Sequence, residues 1–203
     1  DAISTNSLLV WGAQLEQGSY ATSYIPNYGT ALGVTRSAET ANNSGDADTF
    51  NDSEGVLMAE ISALANDGTT RELALSDGGV TNRIEIRYIS ANNDIQGVIR
   101  GAASTILLSH NLTDATEFTK VAVKYKSGDY AFWINGFEVQ VSTTTGNPTG
   151  LNELAFDDGN GDFNMYSNTK QIQYYDSADI DLEKLTSWTS FSDMANGQLY
   201  SIK

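Results

Sequence analysis

The sequence predicts an all-β fold, an antiparallel sandwich closed by one short helix. Three observations carry this expectation. Clusters of Gly, Asn, Asp, Ser and Thr recur roughly every 8 to 15 residues along the chain. Between them lie short runs with apolar residues at alternate positions, the period of a strand with one face in a core. A helical stripe occurs late in the chain, at Ile180, Leu182, Leu185 and Trp188.

Taken in order, residues 8–15 set Leu8 and Val10 against Leu9 and Trp11 and read as a strand. Residues 20–40 read as extended, with Pro26 pinning the backbone, and the polar stretch 41–48 reads as a linker. This divides the chain into residues 1–48, the closing strand of an upstream module plus a linker, and 49–203, the sandwich with its helix. Gly55–Leu64 is apolar on both phases and suits a strand covered on both faces. Arg71–Ser76 follows the turn residues Asn66-Asp67-Gly68. Asn82–Ile89 alternates Ile84, Ile86 and Tyr88 against Arg83, Glu85 and Arg87, the pattern of a half-buried strand. Ile95–Arg100 and Ser104–His110 form a hairpin through Gly101. Phe118–Lys126 turns through Ser127-Gly128-Asp129 into Tyr130–Asn135, and Gly136 permits a bend or bulge before Phe137–Val141. Leu151–Phe156 and Phe163–Tyr175 are the closing strands. The helix is expected from Asp179, as cap, to Trp188, resuming over 190–195, with a last strand over 198–202.

Composition narrows the function. The chain carries 11 basic against 26 acidic residues, a net charge of −15, which argues against phosphate backbones and anionic membranes as partners. The absence of cysteine excludes disulfides, thiolate metal sites and cysteine nucleophiles. No apolar run approaches the roughly 20 residues of a membrane-spanning helix.

Two stretches resemble known families. Val121-Ala122-Val123-Lys124-Tyr125, Gly128-Asp129-Tyr130-Ala131-Phe132-Trp133-Ile134-Asn135-Gly136 and the later run through Tyr174-Tyr175 to Leu185-Thr186 resemble the central hairpin, closing strand and short helix of concanavalin A-like (laminin-G-like) lectin and glucanase modules. The resemblance covers about residues 50–190 and implies a jelly-roll sandwich. Leu9-Val10-Trp11-Gly12-Ala13-Gln14-Leu15-Glu16 through Ala21-Thr22-Ser23-Tyr24-Ile25-Pro26, with Thr35-Arg36, is similar to a segment of phage tail-fibre, tail-tip and related virion proteins. Asn27-Tyr28-Gly29 stands where that segment has Thr-x-Gly, and Glu39 where it has Asp. The resemblance implies a virion-surface adhesion module that recognises glycans of a bacterial host beside other virion proteins. A strand over 8–15 without its own sheet would pair with the sandwich or with another chain, as in a trimeric fibre. Two other settings fit the same residues: a purely structural virion component, and a carbohydrate-binding domain of a secreted bacterial polysaccharide-active protein.

The residue patterns favour binding over catalysis. Glycoside hydrolysis needs two facing carboxylates, and the Glu-x-Asp-x-x-Glu type of strand run found in glucanases of this fold is missing. Glu72 and Glu85 stand among arginines and read as salt-bridged outer-face residues. Arg83-Ile84-Glu85-Ile86-Arg87 mimics a lyase pattern, but its Gln-x-His partner is absent, and His110 reads as a polar turn residue. The chain is therefore read as non-enzymatic. Asp157-Asp158-Gly159-Asn160-Gly161-Asp162 offers Asp157, Asp158, Asn160 and Asp162 as oxygen ligands for calcium, or else is a long turn. For glycans, Trp133 on the outward phase could stack on a sugar, with Asn135 and Lys124 beside it. The competing reading covers Trp133 with the terminal helix or a neighbouring subunit.

Overall fold

A computed structural model describes residues 13–15, 24–26, 29, 34 and 44–188. The strand expected over 8–15 lies largely outside these residues, as do the expected helical continuation over 190–195 and the strand over 198–202. The chain divides into two units, Asp1–Glu39 and Thr40–Lys203, and the architecture below is that of the second.

Ten strands and one helix follow in order: β1 Glu54–Ala63, β2 Arg71–Ser76, β3 Arg83–Tyr88, β4 Asp94–Gly101, β5 Ser104–Asn111, β6 Thr119–Lys126, β7 Tyr130–Ile134, β8 Phe137–Ser142, β9 Glu153–Ala155, β10 Ser167–Tyr175 and α1 Leu182–Thr186. They form two five-stranded antiparallel sheets, ordered β10-β1-β6-β7-β8 and β5-β4-β3-β2-β9. The expected antiparallel sandwich is the observed fold. Its core collects Leu57, Ile61, Leu73, Ile84, Ile86, Ile99, Val123, Tyr125, Tyr130 and Phe132 from the two inner faces. Gly97 lets the sheets approach: a Cβ there would lie 2.6 Å from Val123 Cγ2 and 3.0 Å from Phe132 Cδ2.

β1 is central in its sheet, between β10 and β6, and is buried on both faces as expected. Its outer-face residues Val56 and Met58 join Ala122 and Leu182 in a second apolar cluster beneath α1. That helix is shorter than the stripe implied. Asp181, not Asp179, caps it, its carboxylate accepting the Lys184 N–H at 3.0 Å, and Ser187 ends it in extended conformation. The Ile180 side chain still packs under the sheet-covering segment, so the stripe continues beyond the hydrogen-bonded turns.

Three further expectations are corrected. β3 is not half-buried: Arg83 and Glu85 are buried along with its apolar residues. His110 lies in β5, paired with Ile95, rather than in a turn; burial lowers its pKa and Asp94 partly opposes that. Residues 163–166 do not begin β10. They hydrogen-bond elsewhere, with the Glu72 N–H donating to Phe163 O at 2.8 Å and the Met165 N–H to Phe156 O at 2.8 Å. The turn at Asn135-Gly136 has φ values of 51° and 87°, the signature of a tight two-residue hairpin of type I′. The irregularity in that hairpin falls between Phe132 and Trp133 instead.

The β1–β2 connection gives a pH prediction. Burial would raise the Asp67 carboxyl, but hydrogen bonds from Arg71 and Thr69 and the Arg71 charge outweigh it and bring its pKa down to about 2. A depressed carboxylate stabilises the fold above its unfolded value of 3.8 and stops doing so as pH falls through the folded one. Asp67→Asn is expected to cost about 1 kcal/mol at neutral pH, discounted for the exposed position. The gap from wild type closes between pH 4 and pH 2, checked by urea unfolding across that window. A pH-independent gap would disprove the linkage.

Candidate functional site

The strand alternation that fills the core also decides what the opposite faces carry. On the β5-β4-β3-β2-β9 sheet, Leu73, Leu75, Ile84, Ile86, Ile95 and Ile99 face inward. Their alternates, Glu72, Glu85, Arg83, Arg87, Gln96 and Arg100, share the outer face. Register brings them together: Glu72 lies opposite Arg87, Arg87 opposite Gln96, and Arg83 opposite Arg100.

Glu85 is the hub. It is fully buried and pairs with Arg83, with Arg100 at 3.2 Å and with Arg87 at 3.5 Å. Glu72 takes Arg87 at 3.2 Å and Arg83 at 3.8 Å. The Arg87 Nε–H and Nη2–H both donate to Gln96 Oε1, at 3.0 and 2.9 Å. Burial raises the Glu72 pKa, Glu85 raises it further, and Arg87 and Arg83 act against both.

A roof covers part of this face. The loop after β9 places Asp158 against Arg83, which donates to its backbone O at 2.5 Å and its carboxylate at 3.2 Å. Gly159 sits so close to Ser76 that a Cβ would lie 2.5 Å from its hydroxyl. The far end of the loop docks on the free edge of β2 through Phe163 and Asn164. Burial falls only toward the β5 edge, beyond Gln96 and Val98 of β4, which are 6 % and 0 % exposed. Ala74 and Glu85 are sealed, the Arg87 and Arg100 side chains are 17 % and 27 % accessible, and Leu107 on β5 is 49 % exposed. At the β2 rim Phe163 is 52 % exposed and held at φ 55°, a left-handed backbone that bulky residues avoid. Such strain persists where surrounding contacts impose it, and it concentrates at functional sites. The groups this face presents to solvent are the Arg87 and Arg100 guanidiniums and Leu107, while Glu72, Glu85 and Gln96 are buried.

The residues singled out from sequence fall elsewhere. Asp157, Asp158, Asn160 and Asp162 come together in one loop, whose turn is held by the Asp157 and Asp158 carboxylates. Asp157 accepts the Gly159 N–H at 2.7 Å, and Asp158 accepts the Asn160 and Asp162 N–H groups at 3.0 Å each, besides binding Arg83. Among the described residues no group of three or more His, Cys, Asp or Glu is arranged around a cation position. Trp133 does face outward, one strand over and two residues along from Lys124, but it packs half-buried against the cluster under α1. Lys124 pairs with Asp129 at 2.6 Å. Asn135 is buried in the hairpin turn, its side chain accepting the Lys120 N–H at 2.9 Å. The Arg–Glu face was visible in sequence only as outer-face salt bridges. Glu72 and Glu85 are salt-bridged and do lie on that face, yet they are buried. The signal that would have found them is charge complementarity across neighbouring strands, Glu72 beside Arg87 and Glu85 beside Arg100.

No family model matches the sequence, and no curated protein matches it. Solved structures do. The CBM40 module of the Ruminococcus gnavus IT-sialidase superposes with a TM-score of 0.57 at 13% identity, covering 74% of this chain and 98% of that one. A NanB structure with Optactamide gives 0.56 at 16% identity, covering 69% of this chain, which spans only 25% of NanB. Domain 4 of AbnA, a GH43 extracellular arabinanase from Geobacillus stearothermophilus solved with arabinotriose, gives 0.54 at 12% identity, covering 70% of each chain. At these identities the likeness establishes the fold: residues 44–188 form a lectin-like β-sandwich of the kind used by carbohydrate-binding modules.

Proposed function

We propose that this chain is a non-enzymatic glycan-recognition module and that its ligand face is the outer face of the β5-β4-β3-β2-β9 sheet. One observation carries the proposal. The Arg–Glu cluster, roofed on its β2 side, opens toward β5, where Arg100 and Leu107 are accessible, and the roof loop itself carries the exposed, strained Phe163. The sandwich neighbours support it: the CBM40 module was solved with α2,3- and α2,6-sialyllactose and the arabinanase domain with arabinotriose. The resemblance of Trp11–Pro26 to a virion segment supports a setting on a phage surface, with a bacterial glycan as ligand and a homo-oligomer such as a trimeric fibre as the assembly. A second setting, a binding domain of a secreted bacterial polysaccharide-active protein, is favoured by neighbours that are themselves domains of sialidases and an arabinanase.

Phe163→Gly tests the face. Glycine relaxes the left-handed position, so stability is expected to rise by about 1 kcal/mol. Loss of the stacking ring is expected to lower affinity for glycan-array ligands about tenfold. A more stable variant that keeps full affinity would remove Phe163 from the site. A wild-type chain that binds nothing on the array, while an assembled virion carrying it does not adhere to host cells either, would reject glycan recognition.

A further inference from the structure

We infer that the glycan bound on this face is uncharged; the inference rests on the glycan-recognition reading and names its ligand class. The charge balance of this face decides it. Three guanidiniums, Arg83, Arg87 and Arg100, are matched by three carboxylates, Glu72, Glu85 and Asp158, in ion pairs of 3.8 Å or less. Each arginine is engaged. Arg83 sits between Glu85, Glu72 and Asp158, Arg87 between Glu72, Glu85 and Gln96, and Arg100 donates to Glu85. At the β9 edge of the same face a further carboxylate, Glu153, accepts the Ser76 hydroxyl at 3.0 Å.

No lysine offsets this. Among the described residues Lys120, Lys124, Lys126 and Lys170 lie on the other sheet and Lys184 on its helix. A sugar carboxylate at Arg87 or Arg100 meets guanidiniums whose charge Glu72 and Glu85 already balance, so it finds no unmatched positive charge on this face. It would also approach a chain of net charge −15. Sugar hydroxyls meet neither obstacle. They can accept from the partly accessible Arg87 and Arg100 N–H groups without needing an unmatched counter-charge, because a guanidinium has more donors than its ion pairs use.

The experiment uses the whole chain on an array that holds neutral oligosaccharides beside their sialylated and uronic-acid counterparts. Isothermal titration of the best hit and its partner of opposite class follows, at low and high salt. The neutral glycan is expected to bind about tenfold tighter than its carboxylated counterpart. Salt should leave the neutral affinity flat and strengthen the acidic one. Preference for the acidic glycan, with affinity falling in salt, would overturn the inference and leave glycan recognition standing; equal affinity would do the same. Binding to no glycan would overturn both. Glu85→Gln keeps the shape of the hub and removes its charge, so it should narrow or reverse the neutral preference. Glu72→Gln serves the same purpose where the first variant does not fold. A neutral preference unchanged in a folded variant would show that the ion-pair balance does not set it.

Discussion

Glu85→Ala is expected to be among the most destabilising single substitutions in this chain, lowering unfolding free energy by about 3–5 kcal/mol. Glu85 is fully buried and shared by Arg83, Arg87 and Arg100, so its loss leaves three guanidiniums facing one another around a sealed position. The cost is that of uncompensated charge rather than the net worth of the pairs. Arg100→Ala supplies the control. That side chain is 27 % accessible, and water can take over its role, so about 1 kcal/mol is expected. Denaturant unfolding of the two variants decides the matter. Equal costs would mean that water reaches Glu85 and that the cluster is an ordinary surface network.

Phe132→Ala is expected to cost about 3–5 kcal/mol, in line with truncation of a buried phenylalanine. Its ring is fully buried where the sheets meet, over the space that Gly97 leaves open. Gly97→Ala alone is expected to cost about 1–3 kcal/mol, since the new methyl would crowd Val123 and Phe132. The two changes should compensate. The added methyl enters the space that the ring vacates, so the double variant should lose less than the sum of the singles. Strict additivity in a double-mutant cycle would show that Gly97 is not there for Phe132.

Most of the framework was readable because strands announce themselves by period. The alternation of Tyr130, Phe132 and Ile134 placed β7 correctly, and the two-phase apolar run of β1 marked it as covered on both faces. What failed was whatever depended on a distant segment. The pattern of Arg83 to Arg87 says that one face is charged, which ordinarily means wet. The roof that makes it dry comes from Asp158, 75 residues away, and no local pattern encodes that. The same long-range fact bears on the acidic loop. Asp157 to Asp162 has the composition of a cation site, and in the fold the Asp157 and Asp158 carboxylates hold its turn, Asp158 pairing with a strand arginine as well. The helix boundary moved because Asp179 and Asp181 are both competent caps, and only packing chooses between them. The Trp133 question turned on α1, whose helical stripe was legible while its docking place was not.

The covering of the centre of one sheet by α1 bears on how the proposed module would hold a surface. On the β10-β1-β6-β7-β8 side the helix lies over the apolar centre, and the Gly136 N–H donates to Thr186 Oγ1 at 3.0 Å while Lys120 Nζ donates to Ser187 O at 3.0 Å. On the proposed glycan-recognition reading, the described residues offer the opposite sheet as the sugar face, and a single shallow face holds a sugar briefly. Durable attachment to a surface must then come from number: several copies held in fixed geometry can raise apparent affinity about 10²–10⁴-fold without any new contact. On that reading, grip on a glycan-coated surface would depend on how many copies are presented together.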